Sequence, residues 1–363
     1  MASYKFQKIT LAFSLIFLFS SFTSLAKNGD SNEVVDKGFN PTEMIMHHIS
    51  DSHGWHFFGE GEDAFTLPLP VILWTDNGLT TFMSSAFHHD VEGEYVVESN
   101  DQKFVNYHEK IYVLNAGEEE LKFDEETHAV LNANRPFDIS ITKNVASMLL
   151  AVVLMLFLFI GLAKHYKTSK KAPKGVKNIL ETLVVFVRDE IAKPQIGEKK
   201  FMKFMPFLLT VFFFIWISNL MGLLPGAANV TGNISVTVAL GLFTLVLILM
   251  NGNKDYWQHV FWMPGIPTFV KPILAIVEIL GVFIKPIALM IRLFANITAG
   301  HIIILSLIGL IFILESTGVA FISVPFALFI TVLELLVAFL QAFIFTMLSA
   351  LFIGMAVQEH EHH

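Results

Sequence analysis

Cysteine is absent from all 363 residues, so a disulfide framework, a thiolate metal site and a cysteine nucleophile are all excluded. No Gly-x-x-x-x-Gly-Lys-Ser/Thr phosphate loop occurs, which puts any nucleotide chemistry on other chains and leaves no cofactor expected here. Charge is scarce: Asp, Glu, Lys and Arg make up 15% of the chain while apolar residues make up 54%. That balance is too apolar for one soluble domain and argues for segments held in lipid. The formal net charge of -8 is uneven, with acids crowding the first 140 or so residues, and nothing in it points to nucleic acid.

Residues 1–26 read as an export signal. Lys5 and Lys8 precede the apolar run from Leu11 to Phe19, and Ser24-Leu25-Ala26 offers a small-x-small cleavage site. A retained signal anchor is the alternative. Residues 27–141 read as an acidic, exported, β-containing domain. Runs such as Phe65 to Trp74 and Phe104 to Leu114 are spaced by the turn signals Asp76-Asn77-Gly78 and Asn115-Ala116-Gly117. Pro68 and Pro70 make the first of these an edge or irregular strand. His47, His48, His53, His56, His88 and His89, with Asp51 and Asp90 nearby, raise metal binding as a possibility, but surface histidines are the commoner outcome and no metal site is expected.

Residues 142–363 form the membrane part. Apolar runs at 145–163, 204–224 and 234–250 have spanning length. Lys164, Lys167, Lys170, Lys171, Lys174 and Lys177 follow the first run at once, so the positive-inside rule makes that loop cytoplasmic and the amino terminus external. An amphipathic helix on the cytoplasmic surface is expected over 176–192, ended by Pro194. The last two runs, 272–314 and 325–357, are too long to stand upright: the first would measure roughly 65 Å and the second about 50 Å at 1.5 Å per residue, against roughly 30 Å of hydrocarbon. They are expected to form a strongly tilted hairpin turned near Ser316-Thr317-Gly318. The competing possibility splits 272–314 into two upright spans near Arg292 to Asn296. The fold class is therefore an all-α polytopic membrane protein with five spans and a small external domain.

Within the fourth run stands Arg292, a cation in the middle of an apolar helix. Such a residue is costly and marks a functional site by default. It stays protonated at any relevant pH, which suits a fixed positive charge and excludes a general base. Asn296 shares its face, and Ala288, Ala295 and Ala299 leave room for another helix to approach. His301, nine positions on, points to the opposite side, so Arg292 and His301 cannot make one compact site. Lys271, Glu278, Lys285 and Arg292 recur every seven residues, as do Glu334 and Gln341 on the last helix. A carboxyl and an imidazole on facing membrane helices are a proton-relay signature.

Arg292-Leu293-Phe294-Ala295-Asn296 with Ala299-Gly300, followed by Leu340-Gln341-Ala342-Phe343-Ile344-Phe345, resembles subunit a of the F-type ATP synthase membrane sector. The likeness extends through Asn219 to Pro225, Asn233 to Gly241 and Glu278, and covers most of 145–357. The resemblance implies a proton-conducting stator subunit of an ATP synthase in a bacterial inner membrane, not catalytic alone. Its implied partners are the c-subunit ring, b-type peripheral stalk subunits and membrane lipid. It implies that Arg292 faces the ring and keeps two half-channels apart, with Gln341 beside it. Glu278, His301 and Glu334 would line the external half-channel, and Asn219, Asn233, Ser235 and Thr237 are further lining candidates. Some bacterial members carry glutamate where this chain has His301 and histidine where it has Glu334, an exchange that favours pairing. An ion-coupled secondary transporter is the alternative; it predicts internal repeats, and none is visible.

Overall fold

The computed structural model describes residues 45, 49–58, 65–124, 130–168, 172–224, 226, 228–263, 265–314 and 316–358. The expected export signal, His47, His48 and the terminal histidines lie outside the described residues.

The N-terminal part is antiparallel β. Its strands are β1 (Gly54–Phe58), β2 (Phe65–Pro68), β3 (Pro70–Thr75), β4 (Gly78–Met83), β5 (Glu92–Ser99), β6 (Gln102–Tyr107), β7 (Lys110–Leu114), β8 (Ala133–Asn134) and β9 (Phe137–Asp138). They form three sheets, ordered β1-β2, β4-β3-β9 and β5-β6-β7-β8. Alternation sends Val71, Leu73, Val97, Phe104 and Ile111 inward with Phe87 to make a small core. Both expected strand runs divide in two. The first breaks at Leu69 because Pro68 and Pro70 each lack an amide proton for a ladder. The second reverses through His108 and Glu109, at φ 50° and 62°, a two-residue turn between Tyr107 and Lys110 that carries none of the usual glycine or asparagine signals.

The main helices described after the β part are α1 (Lys143–Thr168), α2 (Val176–Phe186), α3 (Phe201–Gly222), α4 (Ile234–Asn251), α5 (Lys254–Phe261), α6 (Lys271–Leu314) and α7 (Thr317–Val357). Five of them, α1, α3, α4, α6 and α7, are long and apolar enough to cross a membrane. Asp51 caps α1, its carboxylate accepting from the Asn144 amide at 3.1 Å and the Thr142 hydroxyl at 2.8 Å.

Two expected helix ends are corrected. Pro194 does not end the surface helix: α2 runs on through a π-helical stretch, Val187–Ala192, into a last turn, Lys193–Ile196, and stops at Gly197 with φ 93°. Proline is tolerated there because it opens that last turn, where its missing amide proton is not needed. The fifth span starts at Thr317, not Pro325, which lies inside α7; a membrane helix keeps an interior proline where neighbouring turns accommodate it. The fourth run is one unbroken helix of 44 residues, with Pro286 inside it, so the two-span alternative does not hold.

The helices pack around α3. Leu208, Phe212, Phe213 and Ile215 of α3 meet Leu293 of α6 and Phe345 and Ile353 of α7 in one buried cluster. At one end of the bundle α7 closes on its neighbours: Lys200 and Asn253 both donate to the Val357 carbonyl, at 2.8 and 2.7 Å, satisfying an orphan C-terminal acceptor. The β part stands at the opposite end, where the Lys143 amide donates to the Ser52 carbonyl at 2.8 Å.

Candidate functional site

Because α6 is a single helix, the position of each ionisable group along it follows from its number. Glu278, Arg292 and His301 lie at successive heights, with roughly 21 Å between the first two and roughly 13 Å between the last two. They do not form one cluster.

His301 and Glu334 do come together. The Nε2 of His301 lies 4.0 Å from Oε1 of Glu334, which is 4% exposed on its side chain. That is ion-pair range and too long for a hydrogen bond. Both Glu334 carboxyl oxygens are buried and have no hydrogen-bond partner, an unusual condition that calls for a functional account. The approach of α7 to α6 is set by Gly300: a Cβ there would overlap the Glu334 carboxyl. Gly222 at the end of α3 is also near the pair, its Cβ position 3.9 Å from the His301 Nε2, ordinary contact distance.

Around this pair runs a buried polar network. Thr231, fully buried, donates to the Asn219 side-chain oxygen, and the Asn219 amide donates to the Ala338 carbonyl of α7 at 3.3 Å. Asn219 thereby ties α3, the loop after it and α7 one turn from Glu334. Asn233 caps α4 by accepting from the Ser235 amide at 2.9 Å. Thr237 is buried with its hydroxyl on the Ile234 carbonyl, and Ser235 is exposed. Thr231 was not among the sequence candidates; a threonine two residues before an N-cap asparagine carries no distinctive signal.

Arg292 is exposed on the outer surface of α6, and Ala288, Ala295, Asn296 and Ala299 are exposed with it. The same helix buries Leu289, Leu293 and Ile297 against the chain's own core. Arg292 therefore stands on an open strip of small residues facing away from the bundle. Gln341 is buried at 4% exposure and is not hydrogen bonded to Arg292.

Glu278 lies with the other end of the bundle. The Tyr256 hydroxyl on α5 is pushed up by burial and then by the charge of Glu278, which puts this carboxyl beside the loop after α4, away from His301 and Glu334. Glu278 stands roughly 34 Å from His301 along the unbroken α6, so the structure does not bring the three expected half-channel residues together.

In the β part, His53 pairs with Asp138 at 2.8 Å and His56 with the Thr66 hydroxyl at 3.1 Å. Burial would raise the Asp138 carboxyl, but hydrogen bonds from His53 and from the Ser140 side chain and amide outweigh it and hold it down at about 2. Among the described residues no three His, Asp or Glu side chains converge as metal ligands would.

Five apolar helices of spanning length define a polytopic membrane protein. A family model for the ATP synthase A chain matches residues 145–354, and one for a domain of unknown function (DUF8433) matches 44–139. Relatives include ATP synthase subunit a of Chloroherpeton thalassium, 49% identical over 233 residues, covering 62% of this chain and 69% of the relative. ATP synthase subunit a 2 of Chlorobaculum tepidum is 51% identical over 235 residues, 62% and 66% of the two chains. ATP synthase subunit a of Myxococcus xanthus is 48% identical over 232 residues, 62% and 76%. The chain belongs to the ATP synthase subunit a family, a multi-pass component of the proton-conducting membrane sector.

Proposed function

We propose that this chain is the stator of a rotary ATP synthase, offering protons two half-channels that end on either side of Arg292. The observation that carries the reading is the open strip on α6, where the guanidinium stands among exposed alanines between two separate ionisable sites. A ring of c subunits would pass along this strip, each presenting a carboxyl. The permanent positive charge attracts the carboxylate and makes it release its proton before it moves on, and it bars protons from leaking straight between the half-channels.

His301 and Glu334 serve the half-channel on the side of the N-terminal domain. Their separation allows a proton to pass between imidazole and carboxyl through small movements or one water. Glu278 serves the opposite half-channel, beside Tyr256. Gln341, one helical repeat from Glu334, lines the approach to Arg292, and Asn296 shares the arginine's face.

The lysines after α1 place that end of the bundle in the cytoplasm, so the N-terminal domain is external and residues 1–26 act as its export signal. A helix of 44 residues spans roughly 66 Å and must lie strongly inclined in a bilayer with roughly 30 Å of hydrocarbon. Inclination lets one helix sweep along a ring surface, and b-type stalk subunits would hold the chain against the turning ring. In the purified complex, Arg292→Ala is expected to abolish ATP-driven proton pumping and to open a passive leak. Retained, coupled pumping would overturn the proposal.

A further inference from the structure

We infer that the N-terminal β domain is a clamp on the external loop of the proton path, holding Gly226 and residues 228–233 against the His301–Glu334 pair. The inference rests on the proton-path reading above and gives a task to a domain that has none assigned. The clamp begins at Trp55 on β1, which is 7% exposed and stacks on Phe57 at 5.2 Å between ring centroids. Its indole N–H donates to the Gly226 carbonyl at 2.7 Å, a long-range hydrogen bond from the β domain to the loop between α3 and α4.

Backbone also lies against backbone there. Gly226 has φ +74°, and a Cβ on it would stand 2.9 Å from the Phe57 Cα and 3.0 Å from the Phe57 carbonyl. No side chain fits between the strand and the loop, so a shift of β1 must shift the loop. The loop passes that constraint inward. Asn229 folds back to accept from the Gly232 amide at 2.9 Å, and buried Thr231 holds Asn219, which holds the Ala338 carbonyl one turn beyond Glu334. At the loop's start, the Cβ position of Gly222 is 3.8 Å from the Ala228 carbonyl and 3.9 Å from the His301 Nε2.

The domain is a firm base for such a clamp because it is fixed to the same end of the bundle a second time. Asp51 and Ser52 hold the first turn of α1 through the Thr142 hydroxyl and the Asn144 and Lys143 amides. A domain tied at two points restricts the loop between them. Trp55 is therefore a positioning residue, acting on the proton pair through the loop.

The test uses the intact synthase in proteoliposomes, with ATP synthesis driven by an imposed proton gradient. The half-saturating proton concentration on the N-terminal-domain side is measured apart from the maximal rate. Trp55→Phe keeps an aromatic ring, though a smaller one, and loses the donor. It is expected to raise the half-saturating concentration about three- to tenfold, the size of one lost hydrogen bond, while leaving the maximal rate unchanged and speeding amide exchange at 228–233. Trp74→Phe, at an exposed tryptophan on β3, is expected to change neither. Should the Trp55→Phe complex fail to assemble, Phe57→Leu, which removes the stacking partner and keeps the indole donor, carries the same readouts. Unchanged half-saturation in the Trp55 or Phe57 variant, or an equal change from Trp74→Phe, would overturn the clamp. Glu334→Gln separates the two claims: if it leaves synthesis and its dependence on the pH of the N-terminal-domain side unchanged, the proton-path reading itself fails, whereas if it lowers synthesis or shifts that dependence and the clamp variants are silent, only the clamp fails.

Discussion

Glu334 shows how much a single glycine decides. Its carboxyl is buried without a hydrogen bond and rests against Gly300, where a methyl group would overlap it. Gly300→Ala is therefore expected to push the flexible carboxyl end away from His301 and to lower coupled proton pumping about tenfold or more, because a misplaced proton-transfer group loses its alignment; wild-type pumping would mean that the position of this carboxyl does not matter. A second residue-level expectation concerns Asp138, held down at about 2 by His53 and Ser140 against an ordinary 3.8. A depressed carboxyl stabilises the fold above its unfolded value, and that contribution disappears as pH falls from about 4 to about 2; at neutral pH it amounts to about 2 kcal/mol. Asp138→Asn should remove this acid-dependent step, read as amide exchange along β3 in the full chain between those pH values. The residue types at His301 and Glu334 suggested a pair from sequence, but the place of the carboxyl depends on Gly300, and a glycine in a sequence does not say which neighbour has come close.

Element lengths were the most legible feature, because a charge-free apolar run has one stable solution in lipid. The errors fell on proline. Pro194 and Pro325 looked like helix ends and lie inside helical segments, since the π-helical stretch before one and the membrane around the other change what a missing amide proton costs. The π-helical stretch also brings the turn at Gln195 against α7, where a Cβ on Gly354 would collide with the Gln195 carbonyl. Gly354→Ala is expected to destabilise this joint by about 1–3 kcal/mol, seen as a lower melting temperature of the purified complex; an unchanged melting temperature would show that the contact gives way easily. On α6 the opposite holds. Ala295 is exposed, so Ala295→Phe should alter the chain's own stability by less than about 0.5 kcal/mol yet block the approach of a ring helix to Arg292. Lost pumping in a complex that still assembles is the expected result, and normal pumping would put the ring on another face.

At the scale of the molecule, seven-residue spacing put Glu278 and Arg292 on one stripe but could not say which end of the bundle each served. Heights along a helix become sides of a membrane only once the neighbours are known. Tyr256 places Glu278 with the lysine-rich end, and Gly222 places His301 with the end that bears the β domain. The contact of Trp55 with Gly226 joins residues 171 apart, which no local pattern encodes. This division predicts an asymmetry between two like substitutions. Proton-driven synthesis by Glu334→Gln should become more dependent on the pH of the side bearing the N-terminal domain, because a neutral amide cannot hand a proton inward from there. Glu278→Gln should leave that dependence near wild type and instead make synthesis sensitive to the pH of the opposite side, where protons leave. Varying the two pH values independently in proteoliposomes tests both. If the two variants respond to the pH of the same side, the carboxyls share one half-channel and the separation along α6 has no functional meaning.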